Sequence, residues 1–308
     1  MKLHFATVII TLALFADLFG STATAQTKTV LEEGSEVLAM PEVPQGMDKR
    51  ETLAYLINHF WDNLDFDDTA RTHNKAFMEQ NFANFAFFIN GSKDPVMKRE
   101  GVKRLMERAA ADKDVYTLIS EIAEIYLYSP DSPLFDEDSY LPFLEILSQS
   151  ELLPEAERGR KAFLFEAESK NRQGTKASCF SFATREGETM NLKDVDVKEK
   201  MLLIFYNPDC ENCHRVMGML GADPFIEEKI KNGRLTVVAI YSGDDTKLWE
   251  RDARNLPKDW IVGHEPGIID EEEIYFFREF PSIYLLDADK TILIKNLQPS
   301  KLASELSL

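Results

Sequence analysis

From residue 48 to about 170 the apolar residues recur at helical spacing. Leu53, Leu56, Ile57 and Phe60 fall on one face. So do Met78, Phe82, Phe85 and Ile89, and again Val115, Leu118, Ile119, Ile122 and Tyr126. Asn90-Gly91 and Ser129-Pro130 punctuate the pattern. This half is predicted to form about five or six helices in a compact array, a separate all-α domain over 48–170.

Around Gln173-Gly174 the period changes. Residues 201–206, MLLIFY, form a short continuous apolar run, as a central buried strand requires. A helical segment starts at Cys210 and breaks at Gly221-Ala222-Asp223-Pro224. There Asp223 can cap a second helix and Pro224 can open it. Residues 235–241, LTVVAIY, give the next strand, and 246–255 a helix. Residues 282–286 and 291–295 read as strands joined by the polar turn 287–290, with a closing helix over 299–306. Strands alternating with helices predict an α/β domain over 174–308, its sheet covered on both faces.

The N-terminus carries a different pattern. Lys2 is followed by an apolar run from Phe5 to Ala16, and Ala23-Thr24-Ala25 is a small-x-small cleavage site. Residues 1–25 are predicted to be a signal peptide, and 26–47 a flexible leader. The run is short for a membrane span, and Asp17 interrupts it. No cysteine lies near the cleavage site, so no lipid anchor is expected. The chain is read as periplasmic or otherwise exported, and not membrane-spanning after cleavage.

Charge narrows the partners. The formal net charge of -18 over 308 residues argues against nucleic acid, whose phosphates need clustered Lys and Arg. It argues equally against docking on anionic lipid. A neutral or basic partner is easier to accommodate.

The three cysteines, Cys179, Cys210 and Cys213, are too few for a structural disulfide framework in an exported chain. Two of them sit in Asp209-Cys210-Glu211-Asn212-Cys213-His214. Cys210 follows a buried strand and opens a helix, where backbone N–H groups stabilise a thiolate. Cys213 stands one turn on, within reach to form a disulfide and release a bound substrate. Cys-x-x-Cys-His is also the pattern of c-type haem attachment, with His214 as an iron ligand. A preceding hydrophobic strand does not suit that reading. Zinc needs further ligands that this turn does not supply, so no metal is expected. Cys179, beside Phe180 and Phe182, is expected to be a buried small apolar residue. The acids Asp62, Asp65, Asp67 and Asp68 match no cation loop and read as a helix end capped by Asp68 or Thr69.

Three segments together carry a resemblance: Gly174-Thr175-Lys176-Ala177-Ser178-Cys179-Phe180, then MLLIFYNPDCENC, then Phe280-Pro281-Ser282-Ile283-Tyr284-Leu285-Leu286-Asp287. In this order they resemble extracytoplasmic thioredoxin-like proteins of the TlpA and ResA type. The resemblance covers about 174–308 and implies a thioredoxin-like fold, a central mixed sheet flanked by helices. It implies that Cys210 and Cys213 are the catalytic dithiol, that Pro281 is a cis-proline facing them, and that the backbone at Phe280 pairs with a substrate peptide. The residues alone also allow Pro281 simply to start a strand. The stretch from His59 through Phe60-Trp61-Asp62-Asn63-Leu64-Asp65 to Phe66 is similar to a helical domain of unknown function found ahead of bacterial thioredoxin-like domains.

The chain departs from these relatives in two places. Glu211-Asn212 replaces the Pro- or Gly-containing dipeptides common between the cysteines. Ile204 occupies a strand position where cytoplasmic thioredoxins carry a buried acid. The general base is therefore unassigned, and Glu211 reads as a solvated side chain. The expected activity is that of an exported thiol–disulfide oxidoreductase without a cofactor, a reductant or isomerase rather than a strong oxidant. Its partners are expected to be protein thiols or disulfides and an unidentified electron donor. The alternatives are a partner-binding protein with a redox-inert thioredoxin-like half, and haem attachment at CENCH.

Overall fold

The computed structural model describes residues 37–307. The signal-peptide reading of residues 1–25 lies outside them. Among the described residues no helix is long and apolar enough to cross a membrane. The chain divides into two compact units between Phe165 and Glu166.

The first unit is all helical. Its helices are α1 (Lys49–His59), α2 (Thr69–Thr72), α3 (Lys75–Gly91), α4 (Pro95–Ala109), α5 (Lys113–Tyr128), α6 (Glu137–Ser148) and α7 (Glu155–Glu168), the last running across the division. Aspartate or asparagine caps six of them: Asp48, Asp68, Asn74, Asp94, Asp112 and Asp136 each accept a backbone N–H of the first turn. The predicted apolar faces meet in the core, where Leu56, Phe60, Phe82, Phe85, Ile119, Ile122 and Tyr126 are all buried. Asp62 pairs with Arg108 and His59, and Asp68 caps α2, so those acids are engaged in local structure.

The segment expected to be a flexible leader is pinned where it is described. Leu38 is buried, its N–H donates to Asn81 Oδ1 at 2.8 Å, and Asn63 Nδ2 donates to the Ala39 carbonyl at 2.7 Å. One apolar side chain and two hydrogen bonds fix this arm without any helical period to announce it.

The second unit is a seven-stranded sheet in the order β2-β1-β5-β4-β3-β6-β7. The strands are β1 (Ser181–Thr184), β2 (Thr189–Asn191), β3 (Lys200–Phe205), β4 (Leu235–Ser242), β5 (Ile261–Glu265), β6 (Ser282–Asp287) and β7 (Ile292–Ile294). β3, β4 and β5 run parallel, while β1 joins β5, and β6 joins β3, antiparallel. The sheet is therefore mixed. Its helices are α8 (Glu211–Gly221), α9 (Pro224–Lys231), α10 (Thr246–Ala253), α11 (Ile268–Glu271) and α12 (Leu302–Ser307). Asp223 caps α9 and Pro224 opens it, as the sequence predicts. Along β3 the side chains alternate between two cores. Leu202 and Ile204 pack with α8 and α10, while Met201, Leu203 and Phe205 pack with Phe180, Phe182 and Tyr275.

The polar stretch around Gly174, read as a boundary, is tied into this unit. Asn171 Nδ2 donates to the Ile274 carbonyl at 2.8 Å, and its Oδ1 accepts from Ser178 N at 2.7 Å. Lys170 Nζ donates to the Glu273 carbonyl at 2.7 Å, and Gly174 N to the Ile292 carbonyl at 2.8 Å. A polar composition does not make a linker when its groups find fixed partners, as Lys170, Asn171 and Gly174 do here.

Candidate functional site

β3 delivers the chain to the site. After Phe205 the backbone turns through Tyr206-Asn207-Pro208-Asp209, with Cys210 N–H donating to the Asn207 carbonyl at 3.0 Å. Cys210 is then the N-cap of α8. Its Sγ takes the place that a serine or aspartate oxygen usually fills and accepts the Cys213 N–H at 3.3 Å. Cys210 is half-buried. Cys213, one turn on, is 0% exposed and packs with Leu202, Ile204 and Tyr206. Burial, foremost, and the neighbouring Cys210 push the Cys213 thiol up to about 12, against a hydrogen bond from the Asn207 backbone. The dithiol thus has an accessible sulfur that can attack and a hidden one that needs help to ionise.

β6 supplies the second wall. The Phe280-Pro281 peptide is cis. The Phe280 carbonyl accepts from Cys210 Sγ at 3.7 Å and from Asn212 Nδ2 at 3.1 Å. The structure therefore brings Cys210, Cys213 and Phe280 together, with Pro281 next in the chain. Glu211 and Asp209 are exposed beside the dithiol. His214 is exposed, and its Nε2 lies 3.4 Å from Asp252 Oδ1.

Cys179 contradicts the expectation of a buried apolar residue. It is exposed, and its thiol reaches the Ala177 carbonyl at 3.9 Å. Phe180 and Phe182 point into the core, so Cys179 shares the opposite, outward phase with the exposed Ser181.

Two groups near the dithiol were not read from the sequence. Ile204 is buried and apolar, as its letter says. The acid of this region comes instead from α10. Asp252 is 14% exposed, and burial raises its carboxyl above the ordinary range, against the nearby His214. It lines a cleft of about 780 Å³ with Tyr206, Pro208, His214, Met217, Arg251 and Pro257. Burial, and behind it the Asp252 charge, drive the Tyr206 phenol far above its usual value. One signal pointed to Asp252: it lies three residues after Trp249 and just before Ala253, both buried, and so on the inner edge of its helix.

Arg185, in the β1–β2 turn, fixes this side of the cleft. Its Nη1 donates to the carbonyls of Ala253 and Leu256 at 3.2 and 3.4 Å, and its Nη2 to those of Pro257 and Trp260 at 2.7 and 2.6 Å. A guanidinium satisfying the open carbonyls at the end of α10 holds Asp252 in register with the dithiol.

The chain is similar to several known proteins. Residues 20–171 match the domain of unknown function DUF5106. The crystal structure of a thioredoxin-like protein from Bacteroides caccae superposes with a TM-score of 0.74 at 30% identity, covering 88% of this chain and 98% of that one. A conserved protein of unknown function from Bacteroides fragilis is 32% identical, with 44% of this chain and 98% of that one covered and a TM-score of 0.42. The thioredoxin domain of a thiol-disulfide oxidoreductase from Bacteroides vulgatus is 19% identical, with 44% and 96% covered and a TM-score of 0.39. No curated protein matches the chain. Sheet order, the cis peptide opposite the Cys-x-x-Cys turn and the similarity to the Bacteroides caccae protein over 88% of the chain agree: the chain belongs to the thioredoxin-like family, with a DUF5106 segment ahead of the thioredoxin-like fold.

Proposed function

We propose that the protein is an exported thiol–disulfide oxidoreductase that acts on protein thiols or disulfides, in the reducing or isomerising direction. The observation that carries this reading is the asymmetry of the dithiol. Cys210 is reachable and caps a helix, whereas Cys213 is fully buried directly behind it. As a thiolate, Cys210 attacks one sulfur of a substrate disulfide; the substrate S–S bond breaks and its other sulfur leaves as a thiol. Cys213 then attacks Cys210 Sγ, forming the Cys210–Cys213 disulfide and freeing the second substrate thiol. Two protein thiols are oxidised and one substrate disulfide is reduced. An electron donor must return the pair to dithiols. Phe280 and Pro281 are the proposed substrate-binding residues, the Phe280 carbonyl offering an acceptor for a substrate peptide.

The burial of Cys213 argues against covalent haem, since a thioether there would need the porphyrin inside the core. Insulin reduction by the wild type and by Cys210→Ser tests the proposal. Turnover lost in the variant is the expected result. Equal, negligible turnover in both would leave a partner-binding protein as the better reading.

A further inference from the structure

The buried Cys213 must lose a proton each time it resolves a mixed disulfide, and β3 offers no carboxylate to take it, because Ile204 fills the position beneath the dithiol. We propose that Asp252, acting through the Tyr206 hydroxyl, accepts the Cys213 proton and passes it to solvent through His214. The inference rests on the oxidoreductase reading given above and names the part of the site that completes its second step.

The parts lie in sequence across one cleft. Tyr206 packs with Cys213 in the same apolar cluster and lines the cleft that holds Asp252 and His214. Its hydroxyl is buried with no hydrogen-bond partner, in the cleft that the Asp252 carboxylate also lines. A buried hydroxyl left open in this way costs free energy, and such groups are found at catalytic positions. Asp252 in turn stands 3.4 Å from His214 Nε2, and the His214 side chain is 57% exposed, so the chain of groups runs from the core to water.

The charges that face these groups are Arg251 on the same helix, Arg185 from the β1–β2 turn, His214 from α8 and the dithiol itself. Arg251 and His214 favour the ionised carboxylate, against burial. Cys210 raises the Cys213 thiol while both are free. Once Cys210 is bound in a mixed disulfide it carries no charge, and that opposition vanishes when the proton has to leave. In the step itself the Cys213 S–H bond breaks, Tyr206 takes that proton while giving its own to Asp252, and the new S–S bond forms as the substrate thiolate leaves. The thiolate is protonated from solvent, and Asp252 returns its proton through His214.

The two steps separate with a chromogenic aromatic disulfide, dithiobis-nitrobenzoate, on a Cys179→Ser background. Attack by Cys210 releases the first thionitrobenzoate and attack by Cys213 releases the second. Asp252→Asn and Tyr206→Phe are each expected to leave the first release unchanged. Asp252→Asn is expected to slow the second about 100-fold near neutrality, the usual worth of a general base. In the wild type the second rate should level off where Asp252 is ionised, whereas in Asp252→Asn it should climb steadily with hydroxide. Asp252→Glu should restore most of the rate. Tyr206→Phe removes only the hydroxyl and carries the same expectation if Asp252→Asn does not fold. An unchanged second rate and pH profile in either variant overturns the proposal. A wild type that keeps its first adduct and never makes the second release overturns the oxidoreductase reading itself.

Discussion

The side-chain amide of Asn212 donates to the Phe280 carbonyl at 3.1 Å, and its Oδ1 accepts from Arg215 Nη2 at 2.6 Å. The residue between the two cysteines therefore ties up the backbone acceptor beside Pro281. The Cys210 thiol reaches the same oxygen at 3.7 Å. A carbonyl oxygen accepts two hydrogen bonds and these two donors fill it, so on the proposed reading a peptide that pairs with Phe280 competes with Asn212.

Asn212→Ala removes that competitor. A neutral hydrogen bond is worth about 1 kcal/mol net, so KM for insulin in the reduction assay should fall about fivefold. kcat should change little, because the amide contacts neither sulfur in the bonds described. Steady-state kinetics of the variant check this. An unchanged KM would mean that substrate does not use the Phe280 carbonyl.

The thiols should separate by accessibility. In the reduced native protein, iodoacetamide should modify Cys179 and Cys210 and spare Cys213, which is 0% exposed. Burial also holds the Cys213 thiol near 12, so it supplies almost no thiolate at neutral pH. Peptide mass spectrometry after a brief exposure reads all three sites. Cys179→Ser should keep full activity, since the dithiol does not require it.

The sequence made four of the seven strands and the dithiol turn legible because these have local causes, while β1 and β2 are short and were not read. A continuous apolar run marks β3, and Asp223-Pro224 marks the start of α9. β5 was not read: its segment, Ile261–Glu265, mixes Gly263, His264 and Glu265 with two apolar residues and shows no period. His264 and Glu265 are buried there because partners fold over them. His264 Nε2 meets the Gly243 carbonyl at 2.7 Å, and Glu265 accepts the N–H groups of Gly267, Ile268 and Ile269. Asp252 escaped for the same reason. A carboxylate on a helix full of charge looks solvated until Arg185, far back in the chain, anchors the end of that helix. Pattern reports what a residue's neighbours in sequence dictate, and these sites depend on neighbours in space.

The helical unit contains an ion-pair cluster with a clear pH signature. Burial works against the Glu124 carboxylate. Both nitrogens of Arg160, at 2.8 and 2.7 Å, and Lys161 Nζ, at 2.6 Å, outweigh it and lower the carboxyl to about 2. A depressed carboxyl stabilises the fold fully above its unfolded value, about 4.3, and loses that contribution as pH falls toward the folded value. The thermal midpoint of the protein should therefore drop between about pH 4.5 and 2. Glu124→Gln should flatten that part of the profile. It should also cost about 3 kcal/mol, because it strands Lys161, whose side chain is 3% exposed, with Tyr140 as its remaining partner. Calorimetry of both proteins across that range measures the effect.

The redox potential follows from what surrounds Cys210. Strong oxidants owe their potential to a thiolate so well stabilised that the reduced form is favoured. Here the sulfur accepts one described N–H, that of Cys213 at 3.3 Å, at the start of an eleven-residue helix. Against this stand Asp209 and Glu211, exposed on either side, and the Phe280 carbonyl oxygen at 3.7 Å, whose negative charge and dipole face the sulfur. His214, the basic residue closest in sequence, is directed at Asp252. The balance leaves the reduced form only modestly stabilised, so the potential should lie below about −150 mV. Equilibration with glutathione buffers, read by alkylation of Cys210 on a Cys179→Ser background, measures it. Glu211→Gln removes one opposing charge at an exposed position and should raise the potential by only about 10–20 mV. A wild-type value near −120 mV, roughly that of the strongest known protein oxidants, would show that the carboxylates and the Phe280 carbonyl do not govern this sulfur.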